Sequence, residues 1–502
     1  MKKEKYLLST ILVSLLLVGC GGNNSSSSNK TPSIDLSLPE GDIERDENDS
    51  IIYDDVKLKM WSVTTGDDAK TQDSIIAEFN STYNGMINVE VEHISRYDME
   101  QMLQTTMEFE KELAPDLLFS HGHRASEYNE RGWLTPIEPA IKKADILIDK
   151  DDYVSSLLES VSINGYLYGL PQDVHSTMMM VRTDILEKNN LEIPTNYQEL
   201  VEVCESAISK AKNGEFYIRG ENSSGYSTTE WRKASSVDPY YPFPIAFGDM
   251  WVHEFLGHTA AVQNGGKLVN EEGKPGWNSA ETETGLQILR DFVIPSETSL
   301  NKNPLTKEYG ADYDVGKQPF AAGDCIFKLL GPWEYINEVQ EFDKLFAKDN
   351  GSKNIKTMSI SNLFAKDSSK EYASKVKGEG HAYMMLSSVE SITKQCAAMI
   401  FADWMVNNSG VKWAERGHLP SLKSVEMSEE YRTSQSYLDY IVNWGTCDDY
   451  VVYSSTPYFT HVDMYFKNCV QRAMSSQFKD KTIKSIIQEQ EDDCLDYIDL
   501  YA

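Results

Sequence analysis

The sequence predicts an α/β protein of two lobes, and three observations lead there. Strand-like and helix-like patterns alternate with short connections from Val56 onward, the arrangement that encodes a parallel, doubly wound sheet. The part of the 502-residue chain beyond residue 55 is too long for one hydrophobic core and suits two. Residues 320–335, FAAGDCIFKLLGPWEY, run from a glycine turn through a short apolar stretch into Gly331-Pro332-Trp333. Proline has no amide to give a ladder, so the chain must leave the sheet there. That sets the Trp333 indole at the carboxyl edge of a strand, where open α/β sheets collect their ligands.

The elements follow in order. Lys2, Lys3 and Lys5 precede an apolar run from Tyr6 to Val18 that is too short for a spanning helix, which reads as an export signal over residues 1–19. The ending Leu17-Val18-Gly19-Cys20 looks like a bacterial lipobox, in which Cys20 is lipidated. Residues 20–55 are rich in Gly, Ser, Asn and Asp, a composition that cannot offset ordering entropy, so a flexible tether is expected. Val56, Leu58 and Met60 alternate with lysines as a first strand ending near Trp61. Asp67 or Asp68 is placed to cap a helix whose apolar face is Ile75, Ile76, Phe79 and Tyr83. Ile87, Val89 and Val91 mark a second strand, a helix is expected over 98–113, and residues 115–119 form a third strand. Thr195 with Gln198 reads as a capping box for the helix carrying Leu200, Val203 and Cys204. Asn278 or Ser279 opens another with Leu286, Leu289 and Phe292. A further helix carries Cys396, Met399, Phe401 and Met405 and closes at Asn408 and Gly410.

Charge and motif content exclude several functions. The formal net charge is −31, and residues 1–19 carry three lysines against one glutamate, so the exported form is more acidic still. Such a surface repels nucleic acid and anionic lipid, and neither is expected as a partner. Beyond Cys20, Cys204, Cys325 and Cys396 lie in apolar patterns, while a disulfide among Cys447, Cys469 and Cys494 stays open. No cysteines have CxxC spacing, and the histidines of HEFLGH at 253–258 are five apart rather than the four that a zinc-binding helix needs. Neither a phosphate loop nor a G-x-S-x-G elbow is present. Hence no metal, cofactor or catalytic residue is expected, and the lack of clustered ligands along the chain disfavours a metal receptor.

Five segments, in order, resemble the family 1 extracellular solute-binding proteins, the sugar-binding lipoproteins of ABC importers with maltodextrin-binding proteins among them. They are PDLLFSHGHRASEYNERGWLTPIEP, GYLYGLPQDVHSTMMMVRTDILEKNNLEIPTNYQEL, VQNGGKLVNEEGKPGWNSAETETGLQILRDF, FAAGDCIFKLLGPWEY and ERGHLPSLKSV. The resemblance implies a periplasmic-binding-protein-like (type II) fold, two discontinuous α/β lobes joined by a hinge around a cleft. Its lobes would be 56–172 plus 379–430 and 173–378 plus 431–502. It also implies a monomeric receptor on the extracellular face of the cell membrane, held there only by its lipid. The receptor would capture a carbohydrate, an oligosaccharide, for the permease subunits of an importer. A sugar-sensing receptor of the same fold and a surface glycoside hydrolase are the alternative readings.

Sugars present apolar C–H faces and rims of hydroxyls, so their sites need flat aromatics and fixed polar groups. Trp333 matches the stacking tryptophan of the family's GPW motif. His123 and Arg124 match positions where maltodextrin relatives present an Asp-Arg pair, and the histidine is a departure from that pattern. Trp61 and Thr64 lie at the end of the first strand, and Asp173 and His175 follow Gly169-Leu170-Pro171 where the chain crosses between lobes. Trp251, before the Gly265-Gly266 turn, and Tyr458, before the C-terminal helices, complete the candidates.

Overall fold

Alternate residues of an extended strand face the same side, and Leu58 and Met60 of the strand Val56–Ser62 are fully buried. In the computed structural model this strand is an inner strand of a five-stranded sheet, in the order Ile87–His93, Val56–Ser62, Leu117–His121, His381–Met385, Gly169–Pro171. The structure describes residues 36, 38, 43–47, 50–220, 229–246, 250–307, 317–346, 351–446, 449–452 and 456–501. The first three strands of the sheet are parallel, as the alternation predicts, but His381–Met385 runs antiparallel to both its neighbours. It re-enters the first lobe from the second as a direct crossing, so no helical crossover forces it parallel. Helices Gly66–Thr82 and Ile392–Asn408 cover the sheet, with the Phe79 ring 4.9 Å from Phe401 and 5.5 Å from Trp404.

The second lobe is built on Met178–Arg182, buried at every position, between Phe327–Leu330 and Ile355–Ser359. Both neighbours are antiparallel to it, so this sheet departs from the doubly wound expectation. Helices Tyr197–Lys212, Met250–Val262, Ala280–Val293, Phe459–Met474 and Ile483–Tyr501 complete the lobe. Two apolar cores result. One draws on Val56 to Leu170 and on Ala382 to Trp413, the other mainly on Val174 to Val376 and on Tyr431 to Ile498.

Three short pairings lie at the crossing, two of them between the lobes and one, Val376–Lys377 with Tyr450–Val451, inside the second. Asp173–Val174 pairs antiparallel with Leu419–Pro420, Val376–Lys377 pairs parallel with Tyr450–Val451, and His175 bridges Glu379.

Local expectations need correction at several points. Thr65 precedes the first helix without a side-chain cap, and Asp67 and Asp68 sit in its first turn, where negative charge favours the helix dipole. The second helix is Arg96–Phe109, capped by Ser95, with Lys111–Leu113 as a separate 3-10 turn. Asn196, not Thr195, caps Tyr197–Lys212 by accepting from the Glu199 amide, while the Glu199 carboxylate accepts from the Thr195 amide and Gln198 turns to Glu202. Ser279 caps its helix through the amide of Thr282. The end of the expected tether is folded: Arg45 bridges Ile51, and Tyr53 packs on the first core. Cys469 and Cys494 are free, buried thiols, as are Cys204, Cys325 and Cys396, so the pairing left open between Cys469 and Cys494 is not made. Cys20 with the export signal, and Cys447, lie outside the described residues. Among the described residues no helix is long and apolar enough to cross a membrane.

A buried ion trio holds the far end of the second sheet. Arg182, with no exposed surface, donates to Asp184 at 2.9 and 2.8 Å and to the carbonyls of Phe320 and Arg219. Arg219 Nε donates to the same carboxylate at 2.8 Å. Burial pushes the Asp184 carboxyl up, but the two guanidinium groups outweigh it and hold the group below its ordinary value. Asp184→Asn is therefore expected to cost about 3–5 kcal/mol at neutral pH, read by urea denaturation. The difference from the parent should persist down to about pH 4, the unfolded carboxylate value, and fade as pH falls through the lower folded value.

Candidate functional site

The three pairings bring side chains from distant parts of the chain into one buried polar junction. Asp173 has no exposed surface. Its carboxylate accepts from Trp413 Nε1 and from the His381 amide (3.1 Å), and it faces three imidazole Nδ1 atoms: His381 at 3.0 Å, His175 at 3.3 Å and His418 at 3.7 Å. Each ring is placed by backbone pairing. Leu419–Pro420 fixes His418 beside the Asp173 strand, and His381 opens the strand that pairs with Leu117–His121. Gly380 lets these segments close up, since a Cβ there would lie 2.3 Å from the Asp173 carbonyl oxygen.

Glu379 is the second hub. Its carboxylate lies 3.5 Å from His121 Nε2, 3.9 Å from His123 Nδ1, 3.0 Å from Lys377 Nζ and 3.8 Å from Arg96. Lys377 also donates to Glu254 of Met250–Val262 at 3.1 Å, and Lys467 pairs with both Glu254 and Asp463. Five of the chain's nine histidines thus meet at the junction.

Burial dominates their electrostatics. It lowers His123 to about 3 and His175 to about 4, the latter against the hydrogen bond to Asp173. Burial works the same way on His418, yet the carboxylates of Asp173 and Asp68 outweigh it and raise that ring above its ordinary value. Asp463 is pushed up to about 6 by burial and by the neighbouring Glu254.

Trp333 sits at the edge of this junction. Gly331 and Pro332 begin the helix Pro332–Leu345 directly after Phe327–Leu330, with the Glu334 carboxylate accepting from the Gly331 amide at 3.3 Å. The indole folds back over Gly331, where a Cβ would meet its ring at 2.2 Å, and this explains glycine in the motif. The ring is half-buried and stands edge-on to His175, with centroids 5.5 Å apart.

Among the sequence candidates, the structure brings together Trp333, Asp173 and His175, with His123 close by across Glu379. Arg124 lies on the same junction but is engaged by protein: it pairs with Glu100 and Glu127 and donates to Thr460 of the second lobe at 2.6 Å. Trp61 and Thr64 make their contacts inside the first lobe. Trp61 is packed in its core with Nε1 on Glu92, and the Thr64 hydroxyl bonds Gln72 and His93. Tyr458 packs against the second core at the start of Phe459–Met474. The Trp251 side chain lies outside the described residues. Sequence reasoning missed His121, His381, His418, Glu379 and Glu254. The available signal was histidine beside glycine at strand ends, in HGH, GEGH and RGH.

A family model described as bacterial extracellular solute-binding protein matches residues 74–436. The chain belongs to that family. Solved structures with the same fold include the sugar-binding protein MalE from Xanthomonas citri, at TM-score 0.66 and 14% identity over 89% of this chain and 99% of that one. An ABC substrate-binding protein from Listeria monocytogenes in complex with cycloalternan superimposes at TM-score 0.61 and 18% identity, over 89% and 99%. The galacto-N-biose-/lacto-N-biose I-binding protein of Bifidobacterium longum does so at 0.61 and 16%, over 88% and 96%. This solute-binding protein therefore has the two-lobed, type II periplasmic-binding fold, and its polar junction lies where the lobes meet.

Gly417 joins that junction to the GPW helix. Its φ is +84°, and a Cβ there would lie 2.2 Å from the Pro332 Cβ. Gly417→Ala is expected to cost about 1–3 kcal/mol through backbone strain alone, measured by urea denaturation, with the clash adding to it.

Proposed function

We propose that this solute-binding protein captures a carbohydrate, an oligosaccharide, between its lobes and hands it unchanged to the permease subunits of an ABC importer. Cys20, lipidated after removal of residues 1–19, holds it at the outer face of the cell membrane as a monomer. The lobes are 56–172 plus 379–430 and 173–378 plus 431–502. Closure about the crossings follows from the solute's preference for the closed form.

The observation that carries this reading is Trp333. A half-buried indole at the carboxyl edge of the second-lobe sheet, beside the crossing, offers a sugar a flat apolar face. A sugar site also needs fixed polar groups, and the partly exposed Arg96 lies at the same junction. The fold neighbours named for saccharides support the class of solute. With histidine at 123 and the Arg124 guanidinium already on Glu100, Glu127 and Thr460, the solute is expected to differ from a maltodextrin.

A panel of neutral oligosaccharides titrated against intrinsic tryptophan fluorescence tests the reading, with calorimetry on each responder. At least one saccharide should bind saturably and be recovered uncleaved. Trp333→Ala should then weaken it tenfold or more, equivalent to about 1.4 kcal/mol, while the circular dichroism spectrum stays that of the parent. Unchanged affinity in that variant removes the indole from the site, and hydrolysis of the saccharide replaces the receptor by an enzyme.

A further inference from the structure

The two carboxylate hubs differ in one respect. Glu379 has a lysine and an arginine for company, whereas Asp173 is ringed by imidazoles and one indole. One donor atom from each of Asp173, His175, His381 and His418 lies within 4.8 Å of every other, and all four residues are buried. Ring centroids of the three histidines are 4.8 to 5.5 Å apart. Two of the rings are crossed nearly at right angles rather than stacked in parallel, His175 on His418 at 84°. Three nitrogens and one oxygen converging without a thiolate form a donor set for a divalent first-row transition ion and a poor one for calcium or magnesium.

His418 supplies the second observation. The ring is 2% exposed, and its Nδ1 is a buried polar atom without a hydrogen-bond partner, directed to Asp173 at 3.7 Å. Its other nitrogen, Nε2, meets the Asp68 carboxylate at 3.3 Å. An ionised carboxylate only accepts, so Nε2 carries a proton, and Nδ1 is the atom turned to the Asp173 oxygens. Facing lone pairs in a buried site are unfavourable, so a cation belongs between Nδ1 and Asp173, either a proton on the ring, which the two carboxylates favour, or a metal ion bound to both. A carboxylate behind the outer nitrogen of an imidazole is also how metal-bound histidines are oriented. His175 has a comparable neighbour, with Nε2 4.0 Å from Glu379.

We propose that Asp173, His175, His381 and His418 bind one divalent transition ion, with Zn2+ the best match to an N3O set that closes to four ligands. Trp413 Nε1 and the His381 amide hold the carboxylate from outside, and Asp68 orients His418. The ion fastens the two crossing strands and the 417–420 turn to one another, directly below the Trp333 edge. This site does not depend on what the cleft captures, and it departs from the sequence expectation of no metal. Its donors are local to no motif; they come from positions up to 245 residues apart, 173 to 418.

The experiment uses the full mature chain, stripped with chelator and dialysed against Zn2+ alone, with metal content measured per chain. One equivalent should remain bound, and Co2+ in its place should give the intense visible bands of a tetrahedral ion. His381→Ala and His418→Ala should each lower Zn2+ affinity at least a hundredfold, whereas His93→Ala and Trp333→Ala should leave it unchanged. Asp68→Asn keeps every donor and should weaken Zn2+ ten- to a hundredfold, which holds the test open if a donor variant fails to fold. Absence of stoichiometric Zn2+ and Co2+ uptake by the folded chain overturns the proposal and assigns His418 as an imidazolium shared by Asp68 and Asp173. Uptake that survives both donor variants overturns it as well. Loss of saccharide binding in Trp333→Ala with Zn2+ uptake intact separates this site from the solute site.

Discussion

A carboxylate with no exposed surface must be surrounded by donors, because an isolated buried charge costs several kcal/mol. Asp173 is such a group, and it sits where the chain passes from one lobe to the other. Its donors are the His381 amide and the Trp413 indole, and the His381 and His175 rings face it, so that three separate passes of the chain meet on it. Satisfying this one charge therefore fixes how the crossings lie against each other. The Glu379 carboxylate repeats the arrangement two residues ahead of His381, with Lys377, Arg96 and His121 as its company.

The junction is polar while the cores of the two lobes are mainly apolar, and the contrast has a mechanical meaning. The hydrophobic effect is non-directional and does not by itself fix how two parts are oriented. Charge-assisted hydrogen bonds are directional and short, and they define a register between the parts they join. Arg124 reaching Thr460 and Arg96 lying between Glu254 and Glu379 are contacts of that kind between the lobes. Close approach of the backbone makes them possible. Gly331, Gly380 and Gly417 each leave a space that a neighbouring ring or carbonyl occupies.

Most of the fold was legible in the sequence because it is written in local periodicity. Val56, Leu58 and Met60, then Ile87 and Val89, carry their alternation openly, and Gly331-Pro332 ends its strand by chemistry that needs no context. The antiparallel entry of His381–Met385 was hidden, since strand direction depends on where the chain has been and not on what it contains. The same distinction applies to the site. Trp333, Asp173 and His175 stood out from their motifs, and they do meet. Trp61 did not join them, because a tryptophan at a strand end packs inward or outward according to neighbours that no pattern names. His418 and Glu379 carry no local signature at all; only the crossing of distant strands gives them a role. One cap was misplaced by a residue, Thr195 for Asn196, because several side chains near a helix start can serve, and geometry chooses among them.

The two apolar cores are threaded through one another in sequence: the chain builds the first, leaves for the second, returns at Ala382 and departs again by Tyr431. Neither half is thus a contiguous stretch of gene. Anyone grafting the binding half of this receptor onto a different partner would have to exchange several fragments at once, with their cut points at the short ladders. A single-crossover recombinant would inherit half of each core, and its descendants would be culled as misfolded rather than selected for a new taste.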